Sequence, residues 1–122
     1  MNPQTSAGLA ISTSRAPLQA TLKYHHVLKH LTMGQLFEIV RGLNQDSPFV
    51  VLERMDATQG DYYAQALHRP DGTWIVEYRD GGRERHYQAD APGPGAAYRV
   101  LAGWALQLPD WREGLTWRAV YQ

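Results

Sequence analysis

There is no cysteine anywhere in this chain. That absence removes disulfide staples, thiolate nucleophiles and every zinc site built on sulfur ligands. It also weighs against a small secreted scaffold, which would need cross-links to hold so short a chain. Long hydrophobic runs are missing too: no stretch approaches the roughly 18 apolar residues of a membrane-spanning helix. The opening, MNPQTSAGLAISTSRAP, has neither the basic start nor the continuous apolar stretch of a secretory signal. The expected location is therefore the cytoplasm, with no membrane partner. Nor does one sign of charge dominate, since twelve basic and twelve acidic side chains cancel. No cluster of Lys and Arg marks a phosphate-binding surface, so nucleic acid is not an expected partner.

What the chain does have is apolar and aromatic bulk. Apolar residues make up 43% of its 122 positions, and four Trp, seven Tyr and two Phe are among them. That suffices for one small core and argues against a disordered chain. The charge is unevenly placed. Residues 1–42 hold Arg15, Lys23, Lys29 and Arg41 against Glu38, a net +3, whereas residues 43–122 hold eight basic and eleven acidic groups, a net −3. A body of that sign suits a basic partner, although the excess is small.

Residues 1–17 are rich in Ser, Thr, Ala, Gly and Pro without periodicity and read as a disordered tail. Residues 18–122 read as a single α+β domain. The stretch 18–31 alternates as a strand would at Leu22, Tyr24, His26, Leu28 and His30. It also places Leu18, Leu22 and His25 or His26 on one helix face, and a short helix or irregular arm is the expectation. A helix follows near 33–44, opened by the capping-box spacing of Thr32 and Gln35 and striped by Leu36, Val40 and Leu43. Strands are expected at Phe49 to Arg54, Tyr62 to His68, Trp74 to Arg79 and Glu84 to Ala89. Arg69-Pro-Asp-Gly72 and Asp80-Gly-Gly82 supply tight turns between them. A second helix fits 96–108, with Ala97, Leu101, Trp104 and Leu108 as its buried stripe. Residues 115–121 alternate and add a last strand. The fold expected is a four- to five-stranded antiparallel meander with an N-terminal helix and a C-terminal-half helix on one face.

Several residues bear on chemistry. His25, His26 and His30 are spaced so that two of them could share a metal on a helix, but the glutamate of a zinc-protease helix is missing, and no metal or other cofactor is assigned. His68 and His86 are candidate general bases without a recognisable nucleophile beside them. Glu77 and Glu84 stand on neighbouring strands, where pairing as acid and base competes with cross-strand salt bridges to Arg79, Arg83 and Arg85. No catalytic residue is assigned. Trp111, Arg112, Trp117 and Arg118 are the residue types that anchor protein interfaces, and they are the candidate partner-binding set. For Trp117 a place in the core competes with that role.

Tyr63-Ala-Gln65, Asp71-Gly-Thr-Trp74, Val76-Glu-Tyr-Arg-Asp-Gly81, His86-Tyr87, Gly103-Trp-Ala105, Trp111 and Leu115-Thr-Trp117 together give residues 31–120 a resemblance to small actinobacterial proteins. The layout is similar to some immunity proteins of bacterial polymorphic-toxin systems. The resemblance implies a cytoplasmic α+β protein that binds and neutralises a cognate toxin domain, without turnover. A secretion or assembly chaperone is the alternative within the binding class. A small His-dependent metal or acid–base enzyme is the alternative outside it.

Overall fold

A computed structural model of the chain describes residues 18–55 and 61–120. The expected disordered tail, 1–17, lies outside them. In chain order the elements are β1 (Leu18–Leu22), β2 (His26–Lys29), α1 (Met33–Arg41), β3 (Phe49–Arg54), β4 (Tyr62–His68), β5 (Trp74–Asp80), β6 (His86–Ala91), α2 (Pro94–Leu106) and β7 (Arg118–Ala119). The fold is α+β, with one antiparallel sheet and two helices. The sheet has seven strands in the order β2-β1-β3-β4-β5-β6-β7, rather than four or five.

The additional strands come mainly from 18–31, which forms a hairpin and not a helix or irregular arm. Leu18 and Ala20 are buried, and β1 pairs with β2 on one side and with β3 on the other. The alternating pattern of LQATL prevails because β3 offers it a partner edge, which a local helix could not match. The turn is unusual in composition. Its central residues Tyr24 and His25 both take left-handed backbone, at φ 63 and 59, where Gly or Asn would be the ordinary choice. At the other edge, β7 is two residues long, not the seven expected. β6 begins at His86 rather than Glu84, because Arg83–Arg85 close a 3-10 turn after the left-handed Gly81.

The helices start and stop where local chemistry directs. Thr32 Oγ1 accepts from the Gln35 backbone N–H at 3.0 Å, and the Thr32 N–H donates to Gln35 Oε1 at 2.9 Å, the reciprocal capping box. Met33, Leu36, Val40 and Leu43 are buried. Helix α2 opens with Pro94 and ends at Leu106, two residues short of the expected end. There Gln107 turns left-handed (φ 57), and the Leu108 N–H returns to the Gly103 carbonyl. This Schellman ending throws Leu108 outward, to 47% exposure, and off the stripe expected for it.

Register places one alternate set of strand residues toward the helices. Ala20, Leu52, Ala64, Tyr78 and Tyr87 form one row across the sheet, and Leu22, Val50, Ala66, Val76 and Ala89 the next. These rows and the buried faces of α1 and α2 make one core cluster. The alanines leave a shallow floor over which Leu101 and Trp104 of α2 can pack. Trp104 is 5% exposed, as its place in the stripe requires. The Arg54 guanidinium lies 4.4 Å from the centre of its indole ring and donates to its carbonyl at 3.0 Å.

Candidate functional site

The four residues singled out for partner binding are divided by the pleat of β7. Trp117 and Ala119 point to the helix side of the sheet. Arg118, between them, points to the other. On the helix side, Tyr78 is the hub of an aromatic corner, with ring centres 4.8 Å from Trp111, 5.1 Å from Trp117 and 5.1 Å from Tyr87. Trp111 also lies hard against α2. A Cβ added at Gly103 would stand 2.5 Å from the Trp111 Cβ, so glycine is needed for this close approach. The Trp117 indole N–H donates to the Arg112 carbonyl at 2.9 Å. Arg112 closes the corner from outside, its guanidinium 5.2 to 5.9 Å from the rings of Tyr78, Tyr87 and Trp117. Burial pushes the Tyr78 hydroxyl pKa up, and the Arg112 charge opposes that rise. Trp111 and Trp117 are thus half-buried packing residues, with Arg112 as the exposed member of the corner.

The opposite face of the sheet is covered by neither helix. Its rows read Tyr63, Arg79, His86 across β4, β5 and β6, then Gln65, Glu77, Gln88, Arg118 across β4 to β7. A third row of Phe49, Leu67, Ile75 and Asp90 gives this face an apolar end.

Glu77 is the centre of this polar array. Its Oε1 accepts from Gln65 Nε2 and from His86 Nε2, both at 2.9 Å, and its Oε2 accepts from Gln88 Nε2 at 2.6 Å. Burial raises the Glu77 pKa, but the hydrogen bonds from His86, Gln88 and Gln65 outweigh it, and the net shift is downward. His86 is 2% exposed. Arg79 Nε, which can only donate, meets His86 Nδ1 at 3.2 Å. Nδ1 is therefore an acceptor and the ring proton sits on Nε2, facing Glu77. The Tyr63 hydroxyl lies 3.4 Å from the same Nδ1, and its ring is edge-on to the imidazole at 5.7 Å. Burial raises the Tyr63 pKa, the nearby Arg79 charge lowers it and Glu77 raises it, for a net rise.

The array continues to the sheet edge. Arg118 gives Nε and Nη2 to Gln88 Oε1, at 3.1 and 2.7 Å. Asp90 Oδ1 accepts from Arg69 at 3.2 Å and from Arg118 at 3.4 Å. Beside them opens a cleft of about 460 Å³ lined by Asp90, Gly114, Leu115, Thr116 and Arg118.

Chemically, this arrangement orients groups and holds them. Both nitrogens of His86 are engaged within the protein, so as it stands the ring fixes Arg79 and Glu77 and has no free lone pair for a substrate proton. Glu77 and Glu84 do not pair, because Glu84 lies exposed in the 83–85 turn. Two glutamines and a histidine meet Glu77 where arginine salt bridges were expected. Sequence reasoning did not assemble this group, yet its signal was present: polar residues at alternate positions of three successive strands, Tyr63 and Gln65, Glu77 and Arg79, His86 and Gln88.

The other histidines are scattered. His25 and His26 are exposed at the β1–β2 turn, and His30 follows β2 with φ 57. Among the described residues, no three His, Asp or Glu side chains gather at a metal-sized site. His68 lies edge-on to Trp74 at 5.0 Å, and its buried Nδ1 has no hydrogen-bond partner among the described residues. Among the described residues no helix is long and apolar enough to cross a membrane. Comparison of the chain with protein-family models, curated proteins and solved structures found no match.

Proposed function

We propose that this chain is a protein-binding domain and that the open face of its sheet is the binding surface. The observation that carries the reading is the polar array of Tyr63, Gln65, Glu77, Arg79, His86 and Gln88 on a face that neither helix covers. A merely solvated face has no need to sequester a histidine or to surround a glutamate with three donors. Here each polar group is oriented by its neighbour, so little side-chain freedom remains to be lost when a partner docks. At the apolar end, the half-buried Phe49 and Leu67 add area that a partner would desolvate, beside the already buried Ile75. The narrower proposal, an immunity protein that binds and neutralises a toxin domain, rests on the resemblance of residues 31–120.

The test takes as candidate partner the protein product of the gene flanking this chain's own, with affinity measured by calorimetry. Gln65→Lys, in the middle of the open face, is expected to weaken binding by roughly tenfold or more, about 1.4 kcal/mol, while circular dichroism shows the fold retained. Arg112→Ala, at the aromatic corner, is expected to leave affinity nearly unchanged. The reverse outcome moves the interface to the corner. Failure of the two proteins to bind at all rejects the immunity reading.

A further inference from the structure

We infer that Arg79 is the anchor for a carboxylate of the partner, an Asp or Glu side chain presented to the open face. This rests on the reading of that face as the binding surface. Among the described residues, Arg69 and Arg118 are paired with Asp90, and Arg41 with Glu38. Arg79 differs from them. Like Arg54, Arg85 and Arg112 it makes no ion pair among the described residues, but its hydrogen bond goes to an uncharged side-chain acceptor on the same face, His86 Nδ1. Its guanidinium is further held 5.5 Å from the Tyr63 ring centre.

The acids nearest in register are occupied or displaced. Glu77 already accepts from Gln65, His86 and Gln88. Glu53 shares the cross-strand row, but Tyr63 stands between it and Arg79, two strand spacings or about 9–10 Å away. Among the described residues, the half-buried guanidinium of Arg79 therefore has no ion-pair partner. Anchoring through Nε leaves the two terminal NH₂ groups side by side, the fork that takes a carboxylate in bidentate fashion. The Tyr63 hydroxyl, near the same His86 nitrogen, offers a further donor. His86 is then a positioning residue: it aims the fork without touching the ligand.

The experiment follows the side-chain ¹⁵N–¹H signals of arginine in the whole protein during titration. The probes are a short peptide of alternating glutamate and glycine, a matched glutamine–glycine peptide, and inorganic phosphate. The expected result is a saturating shift of the Arg79 signals with the glutamate peptide alone. Arg79→Gln should abolish the saturating response, and Arg79→Lys should weaken it by roughly tenfold, the cost of losing the fork. His86→Gln should weaken it while leaving the melting transition cooperative. A linear response, or one unchanged in Arg79→Gln, overturns the inference. Tighter saturation by phosphate also overturns it, in favour of a phosphoryl ligand. With a protein partner in hand the two readings separate. Affinity lost in Gln65→Lys but kept in Arg79→Gln removes the carboxylate anchor and leaves the face. Affinity kept in both removes the face.

Discussion

His68 and Glu77 are both partly buried polar residues on the sheet, and they are solved differently. Glu77 is met by three donors, and its depressed pKa measures how far the fold favours the ionised form. The consequence for pH has a definite sign. A carboxyl whose folded pKa lies below its ordinary value of 4.5 adds stability above that value and loses it as pH falls through the depressed one. Glu77→Gln is expected to cost about 1–3 kcal/mol near neutrality, because buried donors lose their acceptor. Urea denaturation should show the gap between the two proteins narrowing as pH drops below the ordinary carboxylate range. A gap that holds constant would mean that Glu77 is not held ionised by its neighbours. His68, by contrast, leaves Nδ1 buried and without a hydrogen-bond partner among the described residues. His68→Phe keeps a ring against Trp74 and removes the orphan atom, so it should raise stability by about 1 kcal/mol in the same assay.

Among the elements, the β1–β2 hairpin is the one at odds with its own local chemistry. Tyr24 is 85% exposed and left-handed, and His25 beside it is left-handed too. Neither residue suits that backbone, which costs roughly 1–2 kcal/mol per residue for a side chain with a Cβ. The double variant Tyr24→Asn with His25→Gly should therefore raise the thermal midpoint by several degrees. If it does not, the turn relaxes in solution to another type. Strain kept at an exposed tip bearing Tyr and two His marks that tip for substitution in binding assays as well. Helix α2 shows the converse agreement: Pro94 at its start, Leu101 and Trp104 where it meets the alanine floor of the sheet, and Gly103 where Trp111 arrives.

Across the whole molecule, one core serves both helices and the inner face of the sheet. Trp104 stands where α2 meets the alanine floor, and Arg54 stacks on its ring from the end of β3. Trp104→Ala should cost about 3–5 kcal/mol, a large share of what a domain of this size has to lose. The loss should appear as a lower urea midpoint with the transition still cooperative. A near-normal midpoint would mean that the floor collapses to fill the space.

Some of this was determined by the sequence alone. The capping box at Thr32, the Arg69–Gly72 turn, the buried stripe of α2 from Ala97 to Trp104 and the strands 49–54 and 62–68 each depend on signals within one turn or one strand. Residues a few positions apart decide them, and those residues are adjacent in the chain. The tertiary structure decided the rest. Residues 18–31 became two strands because β3, reached only after α1, supplied the edge that β1 needed. Arg118 parted from Trp117 because β7 joined the sheet with its neighbours on opposite faces. Glu77, His86 and Arg79 met because the register of β5 and β6 set their side chains on one face. Alternation shows that two residues share a face of one strand, but only the pairing between strands determines which residues stand opposite them.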